Sequence, residues 1–215
     1  MKTISSLFLL FFGLVGICAA QTVTIGIQVW MTKNLDVSTF RNGDPIPEAK
    51  TEEEWNKAGE NKQPAWCYYD NDPANGQKYG KIYNWYAVND PRGLAPKGWH
   101  IPSDEEWLML ENYLGPENGL KMKSTSGWEV SEYNGEEIDG NGNNISGFSG
   151  LPGGSRTIYG DFFHLGYHGY WWSSSDANDD DAWAHNLINA PLPAGNGGLS
   201  MGDGVSVRCI KDDPF

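Results

Sequence analysis

The chain has 215 residues and a formal net charge of −13, with 10 Trp, 10 Tyr and 8 Phe beside 27 Gly and 12 Pro. So acidic a balance excludes a nucleic-acid surface, which needs a basic footprint, and so many aromatics exclude disorder. The glycine and proline content points to a loop-rich fold around an aromatic core, not a helical bundle.

Residues 1–20 read as a secretory signal. Lys2 gives a short positive start, an apolar run extends from Leu7 to Ile17, and Cys18-Ala19-Ala20 supply small residues before a cut placed after Ala20. That run falls well short of the roughly 20 apolar residues that span a bilayer, and no later segment is long and apolar enough to be transmembrane. Lipidation at Cys18 is the alternative, disfavoured because Ile17 stands where a lipoprotein signal carries Gly or Ala. The expectation is an exported protein, periplasmic, at the cell surface or secreted. Its mature part, 21–215, is a single domain long enough to bury a sizeable core.

The mature chain opens with alternation. Val23, Ile25, Ile27, Val29 and Met31 fall on one face and Thr22, Thr24, Gly26 and Gln28 on the other, the pattern of a half-buried strand. Val205, Val207 and Cys209 alternate with Ser206 and Arg208 near the far end, so two paired terminal strands are expected. Between them "TEEEW" and "SDEEW" each read as a capping box, Thr51 with Glu54 and Ser103 with Glu106, with a Trp just behind. The second helix carries Trp107, Leu110 and Leu114 on one face and stops at Gly115-Pro116; the first ends near Gly59. In "YGKIYNWYAV" the spacing of Tyr79, Ile82, Tyr83 and Tyr86 favours a short helix or turns. From Gly115 onward "DGNGNN", "GLPGGSR", "HLGYHGY" and "PLPAGNGGL" are turn chemistry, which predicts long loops laid on a few short strands. Cys67 and Cys209 remain after processing, either as a disulfide suited to an oxidising compartment or as two separately buried thiols.

The stretch "YWWSSSDANDDDAWAH" holds the candidate ligand residues. Neighbours on a strand point to opposite faces, so at most one of Trp171 and Trp172 is expected to fill the core. The other, like Trp183, is a candidate platform for a sugar ring, with packing under a loop the favoured reading. Asp176, Asn178, Asp179, Asp180 and Asp181 could offer oxygen ligands to calcium, although a run of this kind is more often a solvated turn. Asp139, Asn141 and Asn143 have the first spacings of a calcium loop, but Asn144 replaces its glycine and Gly150 its final glutamate, so a Gly/Asn turn is the better account. "DNDPANG" reads the same way. His164 and His168 have i, i+4 spacing, yet Gly166 and Gly169 argue against the helix that would align them on zinc. No Gly-x-Ser-x-Gly, His-Glu-x-x-His or phosphate loop occurs, and no catalytic residue is assigned.

Taken in order, "VWMTKNLDV", "YYDNDPANGQKYGKIYNWYAV", "PKGWHIPSDEEWLML", "SGFSGLPGG", "YWWSSS" and "VSVRCIKD" resemble the Fibrobacter succinogenes major paralogous domain, a module of exported proteins in Fibrobacter and Bacteroidetes. The resemblance runs from about Val29 to Asp212. It implies an α+β, C-type lectin-like fold, similar to the formylglycine-generating enzyme domain, with adjacent terminal strands, two helices in the first half and a second half of long loops. It also implies a disulfide between Cys67 and Cys209, which sit about where such folds tie the first helical region to the last strand. It brings no catalytic or binding residues. Lectin-type calcium bridging is disfavoured, because Gln63-Pro64-Ala65 lacks the carboxylate and no Trp-Asn-Asp occurs. The function expected is an exported, non-catalytic binding module of the cell envelope that recognises glycan or protein through loops between about Ser155 and Met201. A structural or adhesion component of an envelope assembly is the alternative, and a polysaccharide-active enzyme the third reading.

Overall fold

The computed structural model describes residues 21–133 and 135–212; the expected signal segment and Cys18 lie outside them. The first alternating run is two strands, β1 (Thr22–Ile25) and β2 (Gln28–Met31), paired antiparallel across a two-residue turn. Gly26 takes a φ of 62° there and Ile27 projects at the tip, 84% exposed, as expected where glycine opens a tight hairpin turn. The turn inverts the parity of the pattern: Ile25 faces the core before it, Gln28 and Trp30 after it.

Both capped helices form, α1 (Glu52–Glu60) and, further on, the helix Asp104–Leu114. Thr51 Oγ1 accepts from the Glu54 amide while the Glu54 carboxylate accepts from the Thr51 amide, and Ser103 and Glu106 repeat the exchange. Between them lie β3 (Trp66–Cys67), α2 (Pro73–Tyr79), β4 (Ile82–Asn84), α3 (Trp85–Val88) and β5 (Trp99–His100). The helix Asp104–Leu114 is therefore α4, and α5 (Asn118–Met122) follows it. Among the described residues there are thus five α-helices, where two capped helices and a further short helix or turn were expected. "DNDPANG" is a helix start, not a turn, because Asp72 caps the Ala74 amide and Pro73 occupies the first helical position. "YGKIYNWYAV" divides into β4 and α3 where the Asn84 side chain caps the Ala87 amide.

The second half contains the chain's longest strands, which corrects the expectation of long loops on short strands. After the small hairpin β6 (Ser131–Tyr133) and β7 (Glu136–Ile138) come β8 (Gly153–Arg156), β9 (Phe162–Leu165), β10 (His168–Asp176), β11 (Asp181–Ile188), β12 (Gly195–Ser200), β13 (Gly204–Val205) and β14 (Ile210–Lys211). The larger sheet runs β12-β11-β10-β8-β13-β4-β3, with β9 also on β8, and a smaller one runs β1-β2-β14-β5. The ends of the domain are neighbours as expected, with Ile210 opposite Trp30, but the pairing strand is β14, and of the alternating run 205–209 only Val205 belongs to a strand, β13.

β10 is covered on both faces, so the expectation that at most one of Trp171 and Trp172 fills the core is overturned. Trp171 packs with Trp30, Trp107, Phe148 and Leu187, and Trp172 with Trp66, Tyr83, Trp85 and Val207; their exposures are 1% and 0%. The alternation rule holds, but each face of the strand has its own core. The indole N–H groups are satisfied by Asn34 Oδ1 and the Tyr83 carbonyl, both at 2.8 Å. Two buried cations help knit these cores. Arg208 donates to Asn34 Oδ1 and to the Phe148 carbonyl, and Lys123 Nζ donates to the carbonyls of Gly140, Ile188 and Ala190.

Cys67 and Cys209 are free thiols, which corrects the implied disulfide. They are buried in different clusters, Cys67 with Trp55, Tyr69 and Ile82, Cys209 with Trp172 and Val207. Burial pushes each thiol up to about 12, so each packs as a small hydrophobe and not as a reactive thiolate. In the folded protein both are expected to resist iodoacetamide, and in guanidinium without reductant both should alkylate fully. A Cys67–Cys209 cross-linked peptide in a non-reducing map would refute the assignment.

Candidate functional site

Of the three candidate tryptophans, Trp171 and Trp172 are withdrawn into the cores and only Trp183 keeps a partly exposed ring. It lies on β11 opposite Gly198 of β12, on the same face as His185. The acidic run forms the turn between β10 and β11. Asn178 Oδ1 accepts from the amides of Asp180 and Asp181, and its Nδ2 donates to Asp181 Oδ2 at 3.0 Å. Asn178 and Asp181 thus serve the turn itself, while Asp176, Asp179 and Asp180 are exposed. Among the described residues no group of three or more His, Cys, Asp or Glu side chains is arranged to hold a metal ion. At "DGNGNN" the Asp139 carboxylate accepts from both the amide and the side chain of Asn141, the local turn that the sequence favours.

Two histidines are held between carboxylates. His185 is buried, stacked on Trp107 at 5.0 Å, with Glu111 at 2.7 Å on Nδ1 and Asp104 at 2.9 Å on Nε2. This ties β11 to α4 and leaves no nitrogen for a substrate. His100 bridges Glu106 and Asp212 at 2.9 Å each, beside a cavity of about 350 Å³. Burial alone would lower its pKa, but the two carboxylates outweigh burial and hold it above the ordinary value. Both nitrogens are again occupied, so His100 ties β5 to α4 and to Asp212. A second cleft, of about 610 Å³, opens beside α1 between Thr51, Asp70, Arg156 and Asp161. Arg156 reaches it from the core, donating to the carbonyls of Ala49 and Gly160 and lying against the rings of Trp55 and Phe162.

Four aromatic side chains that the cores do not fully enclose, Phe163, His164, His168 and Tyr170, meet at the start of β10. A β-turn closes between the His164 carbonyl and the Tyr167 amide, with Gly166 at a φ of 84° in its third position. The turn brings His164 against His168, ring centroids 4.3 Å apart and planes 19° from parallel. His168 Nδ1 meets the Tyr170 hydroxyl at 2.8 Å. Phe163 extends the ring contacts from His164 on one side, and Tyr170 on the other. Burial first, and the neighbouring His164 second, push His168 down to about 4, so at neutral pH its imidazole is uncharged. Burial also raises the Tyr170 hydroxyl above its usual value.

β11 and β12 continue this face. Asn186 lies opposite Tyr170, and Gly195 and Gly197 lie opposite Asn186 and Ala184. A side chain at Gly195 would crowd the Asn186 amide, whereas one at Gly197 would meet nothing within 4 Å. The glycines therefore leave a flat strip beside the rings. The sequence names His164 and His168, and strand alternation puts Tyr170 on the same face as His168, but it gives no route to Asn186, which cross-strand register alone places beside them. The turn glycine Gly166 is the local signal that could have found the histidine pair.

The Fibrobacter succinogenes major domain model matches residues 23–211. No curated protein and no solved structure matches the chain.

Proposed function

The chain belongs to the Fibrobacter succinogenes major domain family, and from that premise we propose that it is an exported, non-catalytic binding module of the cell envelope that engages glycan. The observation that carries the reading is the half-exposed run Phe163, His164, His168 and Tyr170, set beside a glycine-lined strip and the Asn186 amide. Rings of this kind stack on the apolar C–H faces of sugars, and a side-chain amide supplies direction to hydroxyl groups. Adjacent terminal strands in one sheet and two capped helices favour placing the domain among the C-type lectin-like folds. Export rests on the composition of residues 1–20. Among the described residues no helix is long and apolar enough to cross a membrane.

A glycan array probed with residues 21–215, in calcium and again in EDTA, tests the reading. Retention of one or more oligosaccharides is expected in both buffers, because the Asn178 side chain and Asp181 Oδ2 are spent on the turn. Phe163→Ala and Tyr170→Ala should lose that retention and Trp183→Ala should keep it, with thermal melts confirming folding. A blank array with specific capture of an envelope protein would replace glycan by protein. Retention that survives Tyr170→Ala would sink this face, and retention lost in EDTA would return calcium to the site.

A further inference from the structure

The i, i+4 spacing of His164 and His168 fails as a helical motif, yet the β-turn at Gly166 places the two rings together. We propose that His164 and His168 form a two-imidazole site for a late first-row divalent cation of the Cu²⁺, Ni²⁺ or Zn²⁺ kind. Imidazole nitrogen suits these ions and not calcium or magnesium, which take oxygen ligands.

Three observations carry the inference. The ring centroids are 4.3 Å apart, close enough for one ion to reach a nitrogen of each at about 2.1 Å once the outer ring turns. The Tyr170 hydroxyl occupies Nδ1 of His168 at 2.8 Å, leaving Nε2 as its available nitrogen. This is the outer hydrogen bond that fixes the orientation of a ligating imidazole. His164 is exposed, and neither of its ring nitrogens has a protein partner among the described residues, so it can rotate onto an ion held by His168. Its backbone is also unusual. A φ of 66° puts a non-glycine residue in the left-handed region, a conformation that costs free energy and is concentrated at functional positions. Two protein ligands leave the remaining coordination positions to water or to a ligand oxygen. The site does not depend on the glycan reading.

The test is calorimetric titration of residues 21–215 with Cu²⁺, Ni²⁺ and Zn²⁺ salts, one at a time, in a non-coordinating buffer at neutral pH without glycan. One saturable ion per chain is expected, tightest for Cu²⁺, with no heat from Ca²⁺ or Mg²⁺. Tyr170→Phe should weaken binding about tenfold, and His164→Ala and His168→Ala should each weaken it further. Electron paramagnetic resonance of the Cu²⁺ form should report two imidazole nitrogens, and one in either histidine variant. Melts without metal confirm that the variants fold; if His168→Ala does not, the exposed His164→Ala decides. Unchanged binding in His164→Ala, or a Cu²⁺ spectrum without imidazole nitrogen, overturns the site. Either failure would leave the glycan face standing, since the titration contains no glycan.

Discussion

Trp171→Ala and Trp172→Ala are each expected to destabilise the domain by about 3–5 kcal/mol, the range for emptying a fully buried aromatic site. Both side chains are enclosed, one in each of two cores that share β10 as their common wall. Each deletion leaves a cavity; Trp171→Ala also removes one of the donors to Asn34 Oδ1, which Arg208 still reaches, and Trp172→Ala removes the indole donor from the Tyr83 carbonyl. The surroundings cannot collapse easily: Trp107 and Phe148 are braced against Trp30 on one side, and Trp85 is fixed by its hydrogen bond to the Ser173 carbonyl on the other. Guanidinium denaturation of the two variants checks this. A mild loss at either position would mean that its core is loosely packed and that one indole is available to ligand after all. Trp183→Ala, with its ring partly in solvent, should cost far less than either.

The second large effect is expected at Lys123. This lysine is 2% exposed, and its ammonium donates to the carbonyls of Gly140 at 2.8 Å and of Ile188 and Ala190 at 3.1 Å. An ammonium has three donors, and here every one meets a backbone oxygen. The Trp128 ring lies 5.4 Å from the same nitrogen. Lys123→Met keeps much of the stem volume but strands three acceptors, each costing about 1–3 kcal/mol when buried and unpaired. Relief from burying a charge offsets part of this, so a net loss of about 3–5 kcal/mol is expected. Lys123→Arg should not rescue it, because a planar fork cannot copy three tetrahedral donors. Hydrogen exchange would locate the damage. Amides near Gly140 and at the end of β11 should lose protection first, whereas a uniform loss across the domain would contradict the role given to Lys123.

Local rules are legible in the sequence, and of the long-range ones only the adjacency of the domain's two ends is. The two capping boxes are written within four residues each, and both helices start where they say. The first strand was readable as extended, but its phase was not, because the turn at Gly26-Ile27 is apolar enough to pass as part of the alternation. β12, "GNGGLS", reads as a loop on propensity; β11 recruits it through six consecutive backbone pairings, a tertiary effect that no window of sequence reports. The pair Trp171-Trp172 was read against a single core, whereas the fold builds two. The site suffered most, since His164, His168, Tyr170 and Asn186 come from three segments joined by register. The cysteines went wrong for a related reason. A plausible compartment and plausible positions in the fold do not set the direction in which two side chains point, and these two point into separate clusters.

The neighbouring ends of this chain carry a kinetic consequence. β2 lies within the first residues of the described domain, yet its partner β14 lies among the last of them. Bringing Ile210 opposite Trp30 closes a loop of about 180 residues, whose entropy must be met before the contact gives any return. Arg208, which plugs both Asn34 and Phe148, arrives equally late. The small sheet therefore cannot be completed before β14 has emerged, and a truncated or stalled product lacking it would display the unpaired edge of β2 beside the indole of Trp30. Assembly of the domain waits for the segment 208–211, which makes that segment its latch.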